Sequence, residues 1–219
     1  MIAKQLIGIY GGTFDPIHIG HLRTALELKQ ALSLKEVRLI PARRSPLRDE
    51  PVASTQDRLD LIKAALIDIE GLIVDDRELF NPEPSFTVNT LKSLRAELSE
   101  QINLCLIIGM DAFLNFANWY QPETILQLAH LIVAHRLNWQ LPNTGKVAQW
   151  LHQRHATGLN DLINYNSGMI LTYPVTALDI SASNIRRLIA SGHSIKFLVP
   201  DMVLKLISDR NIYQLPLIK

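Results

Sequence analysis

The sequence predicts an α/β domain that is built on a parallel sheet with helices on both faces. Short apolar runs rich in branched residues, which are typical of buried strands, alternate with segments of helical spacing along the 219 residues. The first run, residues 4–10, stops at Gly11 and Gly12, and a helical segment and a second apolar run follow it. A strand, a helix and a strand in this order have the right length for a right-handed parallel crossover.

Four more elements make up the rest of the first half of the chain. Residues 21–32 have apolar side chains at mostly helical spacing and contain no Gly or Pro. Ser54 and Asp57 have the spacing of a capping box, which opens another helix. The predicted elements are a helix over 21–32, a strand over 36–40, a helix that carries 59–66 and a strand over 72–74.

The second half continues the alternation and ends in two helices. Polar residues between 155 and 168 predict a turn, and the Asn, Pro and Gly of residues 137–145 predict a loop. The predicted elements are a helix over 88–98, a buried strand over 103–108, a helical turn over 124–128, a strand over 131–134, a helix over 146–155, a strand over 169–173, and helices over 183–190 and 200–209.

These elements together predict a Rossmann-like fold with a five- to six-stranded parallel sheet and a small C-terminal helical part. We expect one domain over residues 1–219, in which residues 183–219 form the C-terminal helical portion. A chain of this length can bury a core without disulfides or a structural metal. Open sheets of this kind bind ligands at the carboxyl ends of their strands.

The composition excludes several classes of protein. There are 22 Lys and Arg against 21 Asp and Glu, which gives a formal net charge of +1, and 47% of the residues are hydrophobic. Such a chain is globular, and it lacks the strongly basic character of a dedicated nucleic-acid binder. Cys105 is the only cysteine, so it cannot form an internal disulfide. With no leader pattern and no apolar run of membrane-spanning length, the cytoplasm is the expected location.

The most informative motif is GGTFDPIHIGH at residues 11–21, where the first strand ends and the first helix begins. Gly11 and Gly12 allow the backbone to approach a ligand closely, and the helix N-terminus offers N–H donors and a positive dipole end to a phosphate. His18 and His21 are three residues apart at the helix entry, so both rings can face the same anion. This combination suits a polyphosphate.

Two other interpretations of the histidine pair stay open. Histidines at this spacing also occur as capping or surface residues. A zinc site is the second alternative, but no third ligand of suitable spacing accompanies the pair, and Asp15 is needed in the turn before Pro16. We therefore predict no metal that is held by protein side chains alone.

A second motif, ISASNIR at residues 180–186, lies at the start of a predicted helix. The hydroxyls of Ser181 and Ser183 can cap backbone donors or turn to phosphate oxygens. Arg186 lies one turn beyond Ser183 on the same side, where a guanidinium could hold a triphosphate through forked hydrogen bonds. Alone, the motif is explained by a helix cap and a solvated arginine. Its pairing with the first motif favours a triphosphate site.

The two motifs, in this order and at opposite ends of one domain, resemble those of the nucleotidyltransferase superfamily. Four intervening segments narrow the resemblance: PSFTVNTL at 84–91, IGMDAF at 108–113, NWYQPETIL at 118–126 and HLIVAHR at 130–136. Together they are similar to the bacterial nicotinate-nucleotide adenylyltransferase family over nearly the whole chain.

The resemblance implies transfer of the adenylyl group of ATP to nicotinate mononucleotide, giving deamido-NAD and pyrophosphate in NAD synthesis. It implies catalytic roles for His18, His21 and Arg186, with Mg²⁺ bound mainly through the ATP phosphates. The residues expected to bind ATP lie in the two motifs and after the fourth strand: Gly11, Gly12, Thr13, Phe14, His18, His21, Gly109, Asp111, Ile180, Ser181, Ser183 and Arg186.

For the mononucleotide, the resemblance implies that Thr87 and Trp119 lie against the nicotinate ring. Tyr120 and Arg136 are expected close by. An indole face suits a flat pyridinium cation. Taken alone, Trp119 would more often be a partly buried core aromatic.

One stretch departs from the family pattern. The family often shows Pro-Pro-His-Lys after the second strand, whereas residues 45–48 read Ser-Pro-Leu-Arg. Arg48 can supply the cation for the mononucleotide, but Leu47 cannot replace an imidazole. Arg43 and Arg44 are alternatives for contact with the mononucleotide phosphate.

Three other functions remain as alternatives. Phosphopantetheine adenylyltransferases share the histidine motif, but they are typically shorter and the region around Trp119 argues against them. Class I aminoacyl-tRNA synthetases carry the His-Ile-Gly-His that residues 18–21 spell, but this chain has no Lys-Met-Ser-Lys-Ser stretch. The third alternative is a regulatory module that binds a nucleotide without reaction. We expect ATP and nicotinate mononucleotide as partners, no nucleic acid or membrane, and either a monomer or a homo-oligomer.

Overall fold

The computed structural model describes residues 4–44, 49–136 and 140–214. Its strands are β1 Gln5–Gly12, β2 Glu36–Pro41, β3 Leu72–Val74, β4 Ile102–Gly109, β5 His130–His135 and β6 Ile170–Pro174. They form one parallel sheet in the order β3-β2-β1-β4-β5-β6. From β1 the chain first adds β2 and β3 on one side and then β4, β5 and β6 on the other, so the strand order reverses between β1 and β4. The carboxyl ends of these two strands therefore flank the crevice where such sheets bind ligands.

Helices cover both faces of this sheet. They are α1 Ile19–Ala31, α2 Thr55–Ala65, α3 Thr87–Glu97, α4 Met110–Leu114, α5 Pro122–Leu128, α6 Gly145–Arg154, α7 Leu159–Asn164, α8 Ala182–Ala190 and α9 Asp201–Asp209, with a 3₁₀ turn at Phe116–Asn118. The fold class that the sequence predicts is therefore confirmed, with six strands.

The central strands are largely apolar because both of their faces are covered. Successive side chains of a strand point to opposite faces. In β4, Ile107 lies in the same core cluster as Leu28 of α1, and its neighbour Leu106 lies in the cluster that contains Leu91 of α3. The C-terminal helices α8 and α9 add Ile185 and other side chains to the first of these clusters.

Helix α7 corrects one sequence prediction. The polar turn predicted between 155 and 168 is wrong over Leu159–Asn164, which are helical. Leu162 is fully buried, and the buried Asn103 side chain donates to the carbonyls of Leu162 at 2.8 Å and Tyr165 at 2.7 Å. Six residues are too short for a helical period to stand out, and the bonds that hold them come from a distant strand.

Several element ends differ from their predicted positions, and one of these ends matters for the site. Helix α1 begins at Ile19 rather than at His21, so that His18 is its N-cap residue. Helix α4 and the 3₁₀ turn at Phe116–Asn118 were not predicted, because they are single turns. In the described part of the chain, no helix combines the length and the apolar character needed to cross a membrane.

Candidate active site

The carboxyl ends of β1, β4 and β5 and the start of α1 surround a cavity of about 210 Å³. It lies at the point where the order of the strands reverses, which is where open α/β sheets bind their ligands. Gly109 ends β4 at this cavity, and an added Cβ atom there would meet no atom within 4 Å. The polar side chains in the cavity wall are Tyr10, His18, His21, Thr24, Asp111, His135, Arg136 and Thr176.

The two histidines of the first motif stack on each other in this wall. Their ring centroids are 3.6 Å apart and their planes are inclined by 23°. The Nδ1 atoms of His18 and His21 are both buried and have no hydrogen-bond partner among the described residues. Because buried polar atoms in proteins are nearly always hydrogen-bonded, these two atoms mark a place where a ligand can supply the missing partners.

Both histidines are neutral at pH 7. Burial lowers the pKa of His18 to about 4. Burial and the neighbouring His18 lower the pKa of His21 well below its ordinary value. A neutral imidazole has one N–H donor and one acceptor nitrogen. A phosphate that enters the cavity would favour the charged form of each ring and raise both pKa values.

Aromatic side chains fix the position of the histidine pair. The buried Phe14 ring meets His21 edge-on at 5.0 Å and Tyr10 at 5.9 Å. Phe14 adopts a φ of 49°, which is uncommon for a residue with a bulky side chain. A Cβ atom on Gly12 would lie 2.9 Å from the Phe14 ring, so only glycine fits beside it. Burial raises the pKa of Tyr10 to about 12, so its hydroxyl stays protonated.

The second motif packs against the first. Ser181 caps α8, with its Oγ accepting from the Asn184 N–H at 3.2 Å. Arg186 Nη1 donates to the main-chain carbonyl of Asp15 at 2.6 Å, and its Nη2 lies 3.5 Å from Ser183 Oγ. The Arg186 side chain is 29% exposed, so part of its guanidinium faces solvent beside the first motif.

Asp15 has a structural task at this contact. Its carboxylate is buried and accepts the backbone N–H groups of Val52 at 2.8 Å and Ala53 at 3.1 Å. It also accepts the Tyr213 hydroxyl at 2.8 Å. The side chain therefore joins the first motif to the segment before α2 and to the end of the chain.

A buried arginine holds the ends of β1 and β2 together. Arg58 of α2 is 1% exposed and donates to the carbonyls of Thr13 at 2.8 Å, Ala42 at 2.6 Å and Arg43 at 3.2 Å. Burial lowers the pKa of Arg58, and the negative charge of Asp15 opposes this shift. The buried guanidinium of Arg58 thus holds the backbone of the first motif in place at Thr13.

The residues assigned to the nicotinate ring come together in a second region. Phe86 and Tyr120 lie with ring centroids 4.7 Å apart, which joins the start of α3 to the segment after the 3₁₀ turn. Thr87 is the first residue of α3, where backbone N–H groups have no partner within the helix. Trp119 packs on Phe116 at 5.4 Å, and its buried Nε1 has no partner among the described residues.

The remaining arginines are distributed differently. Arg136 lines the cavity with His18 and Asp111, and its Nη2 lies 3.4 Å from Asp179 Oδ1. The structure thus brings Arg136 together with residues assigned to ATP. Arg48 lies outside the described residues. Arg43 and Arg44 line a separate cavity of about 360 Å³ at the start of α2.

Side chains of the described residues do not form a metal cage. Within residues 4–44, 49–136 and 140–214, no group of three or more His, Cys, Asp or Glu side chains is arranged to hold a metal ion. Mg²⁺ is often held through one or two carboxylates together with substrate phosphates and water, so it needs no such cage.

Comparison with known proteins identifies the family. A family model described as cytidylyltransferase-like matches residues 9–188. A Pseudomonas entomophila protein named "Probable nicotinate-nucleotide adenylyltransferase" is 42% identical over 97% of both chains. A Methylococcus capsulatus protein of the same name is 41% identical over 95% of this chain and 99% of its own. The chain belongs to the nicotinate-nucleotide adenylyltransferase family.

Solved structures share the fold of this chain. The Plasmodium falciparum nicotinic acid mononucleotide adenylyltransferase complexed with NaAD matches with a TM-score of 0.72 over 95% of this chain and 97% of its own. The same enzyme complexed with APC matches with a TM-score of 0.69 over the same shares. At 17% and 18% identity these two matches concern the fold.

In this member of the nicotinate-nucleotide adenylyltransferase family, sequence reasoning missed six residues at the site. Thr24 and His135 line the cavity. Tyr10, Arg58, Thr176 and Tyr213 contact or line the region of the first motif. Tyr10 ends a predicted strand beside Gly11, and this position could have singled it out. Arg58, Thr176 and Tyr213 reach the site only through contacts between distant parts of the chain, for which a single sequence carries no signal.

Proposed function

We propose that this protein transfers the adenylyl group of ATP to nicotinate mononucleotide, releasing pyrophosphate and forming deamido-NAD. A phosphate oxygen of the mononucleotide forms a bond to the α-phosphorus of ATP. The bond from that phosphorus to the bridging oxygen of the β-phosphate breaks, and pyrophosphate leaves with the electron pair. The mononucleotide phosphate is already an anion at pH 7, so no protein nucleophile or base is required.

The protein contributes alignment and charge stabilisation. Transfer of a phosphoryl-type group gains from positioned donors and cations around the reacting phosphorus. His18 and His21 offer imidazole donors from the cavity wall, and the exposed part of Arg186 offers a forked donor from α8. Because both imidazoles are neutral in the free protein, they can take up positive charge when the triphosphate arrives.

ATP and the mononucleotide would occupy adjacent parts of one crevice. Gly11, Gly109 and Asp111 lie at the carboxyl ends of β1 and β4, where backbone can approach the nucleotide and a carboxylate can accept its ribose hydroxyls. The start of α3 and the Trp119 ring would hold the nicotinate group. Thr87 begins that helix, and its N–H groups suit a carboxylate.

Mg²⁺ belongs to the proposal as part of the ATP complex. It would be bound mainly by phosphate oxygens and water, with Asp111 as the acidic side chain of the cavity wall that is available to its hydration shell. Mg²⁺ held there would supply positive charge to the leaving pyrophosphate. We further propose that residues 1–219 work as one domain, without nucleic acid, in the cytoplasm.

The single observation that carries the proposal is the stacked histidine pair at the crevice, whose Nδ1 atoms find no partner among the described residues, in a chain with 42% identity to its named relative. The test is transfer of label from α-³²P ATP to nicotinate mononucleotide, nicotinamide mononucleotide and phosphopantetheine in parallel reactions. We expect labelled deamido-NAD with stoichiometric pyrophosphate. Label on phosphopantetheine alone would overturn the proposed acceptor, and ATP binding without transfer would indicate the regulatory module.

A further inference from the structure

Tyr213 brings the end of the chain to the first motif, outside residues 9–188 that the family model matches. It lies in the turn after α9 and is 9% exposed. The turn is anchored on α2, because Arg210 forms ion pairs with Asp57 at 3.0 Å and Asp60 at 2.7 Å. These ion pairs therefore hold the turn that carries the Tyr213 ring against α2.

The backbone of this turn is unfavourable in itself. Asn211 has a φ of 53° and Tyr213 a φ of 67°, in the left-handed region that a tyrosine seldom adopts. A conformation of this kind is unfavourable for a residue with a side chain and persists where surrounding contacts hold it. The Tyr213 ring packs in the core cluster that contains Ile207 and Ile212, and its hydroxyl donates a hydrogen bond to Asp15 Oδ1.

The Asp15 carboxylate has two sets of competing donors. The Val52 and Ala53 N–H groups and the Tyr213 hydroxyl are bonded to it at 2.8 to 3.1 Å. Arg186 Nη1 lies 3.6 Å from Asp15 Oδ2 but donates instead to the main-chain carbonyl of Asp15 at 2.6 Å. A buried carboxylate that lost one donor would draw in the nearest cation.

We propose that Tyr213 is a positioning residue for Arg186. Its hydroxyl donates a hydrogen bond to the Asp15 carboxylate. Arg186 therefore binds the main-chain carbonyl of Asp15 with one nitrogen, and its other guanidinium N–H groups can bind the triphosphate. Without that hydroxyl, Arg186 turns into a closer ion pair with the carboxylate and is withdrawn from ATP. This inference rests on the proposed function only in taking ATP as the ligand of Arg186.

The test is equilibrium binding of ATP without an acceptor, in a cycle of variants. Tyr213→Phe keeps the ring and removes one oxygen, and we expect it to weaken ATP binding roughly tenfold. On an Arg186→Ala background the same change should have no further effect, because the group through which it acts is gone. Tyr165→Phe, an exposed tyrosine at the other end of the sheet, is the matched control and should leave ATP binding unchanged.

Three results would overturn the positioning role. They are unchanged ATP affinity in Tyr213→Phe, equal losses on the parent and Arg186→Ala backgrounds, and a Tyr213→Phe chain that does not fold. The last would show that the hydroxyl holds the fold rather than Arg186. Failure of the proposed function is distinguishable, because it would appear as a parent protein that binds no ATP or does not adenylate nicotinate mononucleotide.

Discussion

The chemistry of single residues at this site is set by what surrounds them. An imidazole on the surface is partly charged near neutral pH. Burial lowers the pKa of His18 and, together with the neighbouring His18, that of His21, so both rings are neutral. Their charge then depends on the ligand, which brings negative phosphates into the cavity. Like the Nδ1 atoms of these histidines, the buried Nε1 of Trp119 has no hydrogen-bond partner among the described residues.

His21→Ala should reduce turnover roughly 10²- to 10³-fold, the scale for the loss of one positioned donor in a transition state. The change in ATP affinity should be much smaller, because the donor acts mainly on charge that develops during transfer. Steady-state kcat and KM measure the two effects separately. His152→Ala, an exposed residue of α6, is the control for the loss of a histidine. Turnover near that of the parent would show His21 to be structural.

The acceptor site should distinguish nicotinate mononucleotide, which carries a carboxylate, from nicotinamide mononucleotide, which carries an amide. Backbone N–H groups at the start of α3 can pair with a carboxylate, whereas the NH₂ of nicotinamide would face those donors. A site of this kind rejects an analogue that leaves its donors unpaired, by factors that reach roughly 10⁴. Nicotinate mononucleotide should therefore have a much larger kcat/KM than the amide. A ratio near one would contradict the proposed acceptor.

Trp119→Ala should raise KM for both mononucleotides and roughly preserve the ratio of their kcat/KM values. Both rings are flat pyridinium cations, so stacking on an indole adds affinity without discrimination. The same kinetic comparison, repeated on the variant, is the measurement. If the ratio collapses in the variant, the discriminating contact belongs to the Trp119 pocket and not to the start of α3.

Local sequence signals predict those helices, strands and caps that residues close together in the sequence determine. The six strands, the capping box at Ser54 and the entry to α1 could all be predicted, because apolar runs, caps and glycine turns act over a few residues. Helix α7 could not, since the buried side chain of Asn103 holds it from another strand. The same limit applies to Arg58 and Tyr213, whose partners lie far away in the sequence.

Strand β1 offers a matched pair of glycines for separating stability from ligand binding. A Cβ atom on Gly8 would lie 2.9 Å from Val37 Cγ2 and 3.1 Å from Ile107 Cδ1, whereas one on Gly11 would meet no atom within 4 Å. Gly8→Ala should lower the free energy of unfolding by about 1–3 kcal/mol, as overpacking does. Gly11→Ala should leave it nearly unchanged and weaken ATP binding. Denaturant unfolding and ATP titration test both, and the reverse pattern would contradict the assignment of Gly11.

Three histidines, in two parts of the fold, have buried ring nitrogens. His18 and His21 lie at the carboxyl end of the sheet, and His130 lies at the start of β5, near the opposite end. His130 is fully buried, with Nδ1 3.2 Å from the Met169 N–H and Nε2 3.2 Å from the Tyr165 carbonyl. With Nδ1 accepting and Nε2 donating, the neutral ring satisfies both contacts. Burial lowers the pKa of His130 to about 4, although the Tyr165 carbonyl opposes this shift.

The stability of the protein should therefore fall in mild acid. The unfolded chain binds protons at histidine below an ordinary pKa of about 6.5, whereas the folded state leaves His130 neutral down to about pH 4. Protons thus favour unfolding across this window, and stability rises with pH within it. His130 alone accounts for a loss of about 3 kcal/mol between pH 7 and pH 4. His18 and His21 add to that loss when no ATP is bound.

His130→Asn separates the contribution of His130 from that of the cavity pair. The amide oxygen can take the place of Nδ1 as acceptor for the Met169 N–H, and the side chain does not titrate. Denaturant unfolding of the parent and variant from pH 7 to pH 4 should show a shallower fall for the variant, whatever its absolute stability. ATP should flatten the remaining slope, because phosphate charge raises the pKa values of His18 and His21 toward those of the unfolded chain. Parallel slopes for parent and variant would show that His130 has the same pKa in the folded and the unfolded protein, and that burial does not lower it.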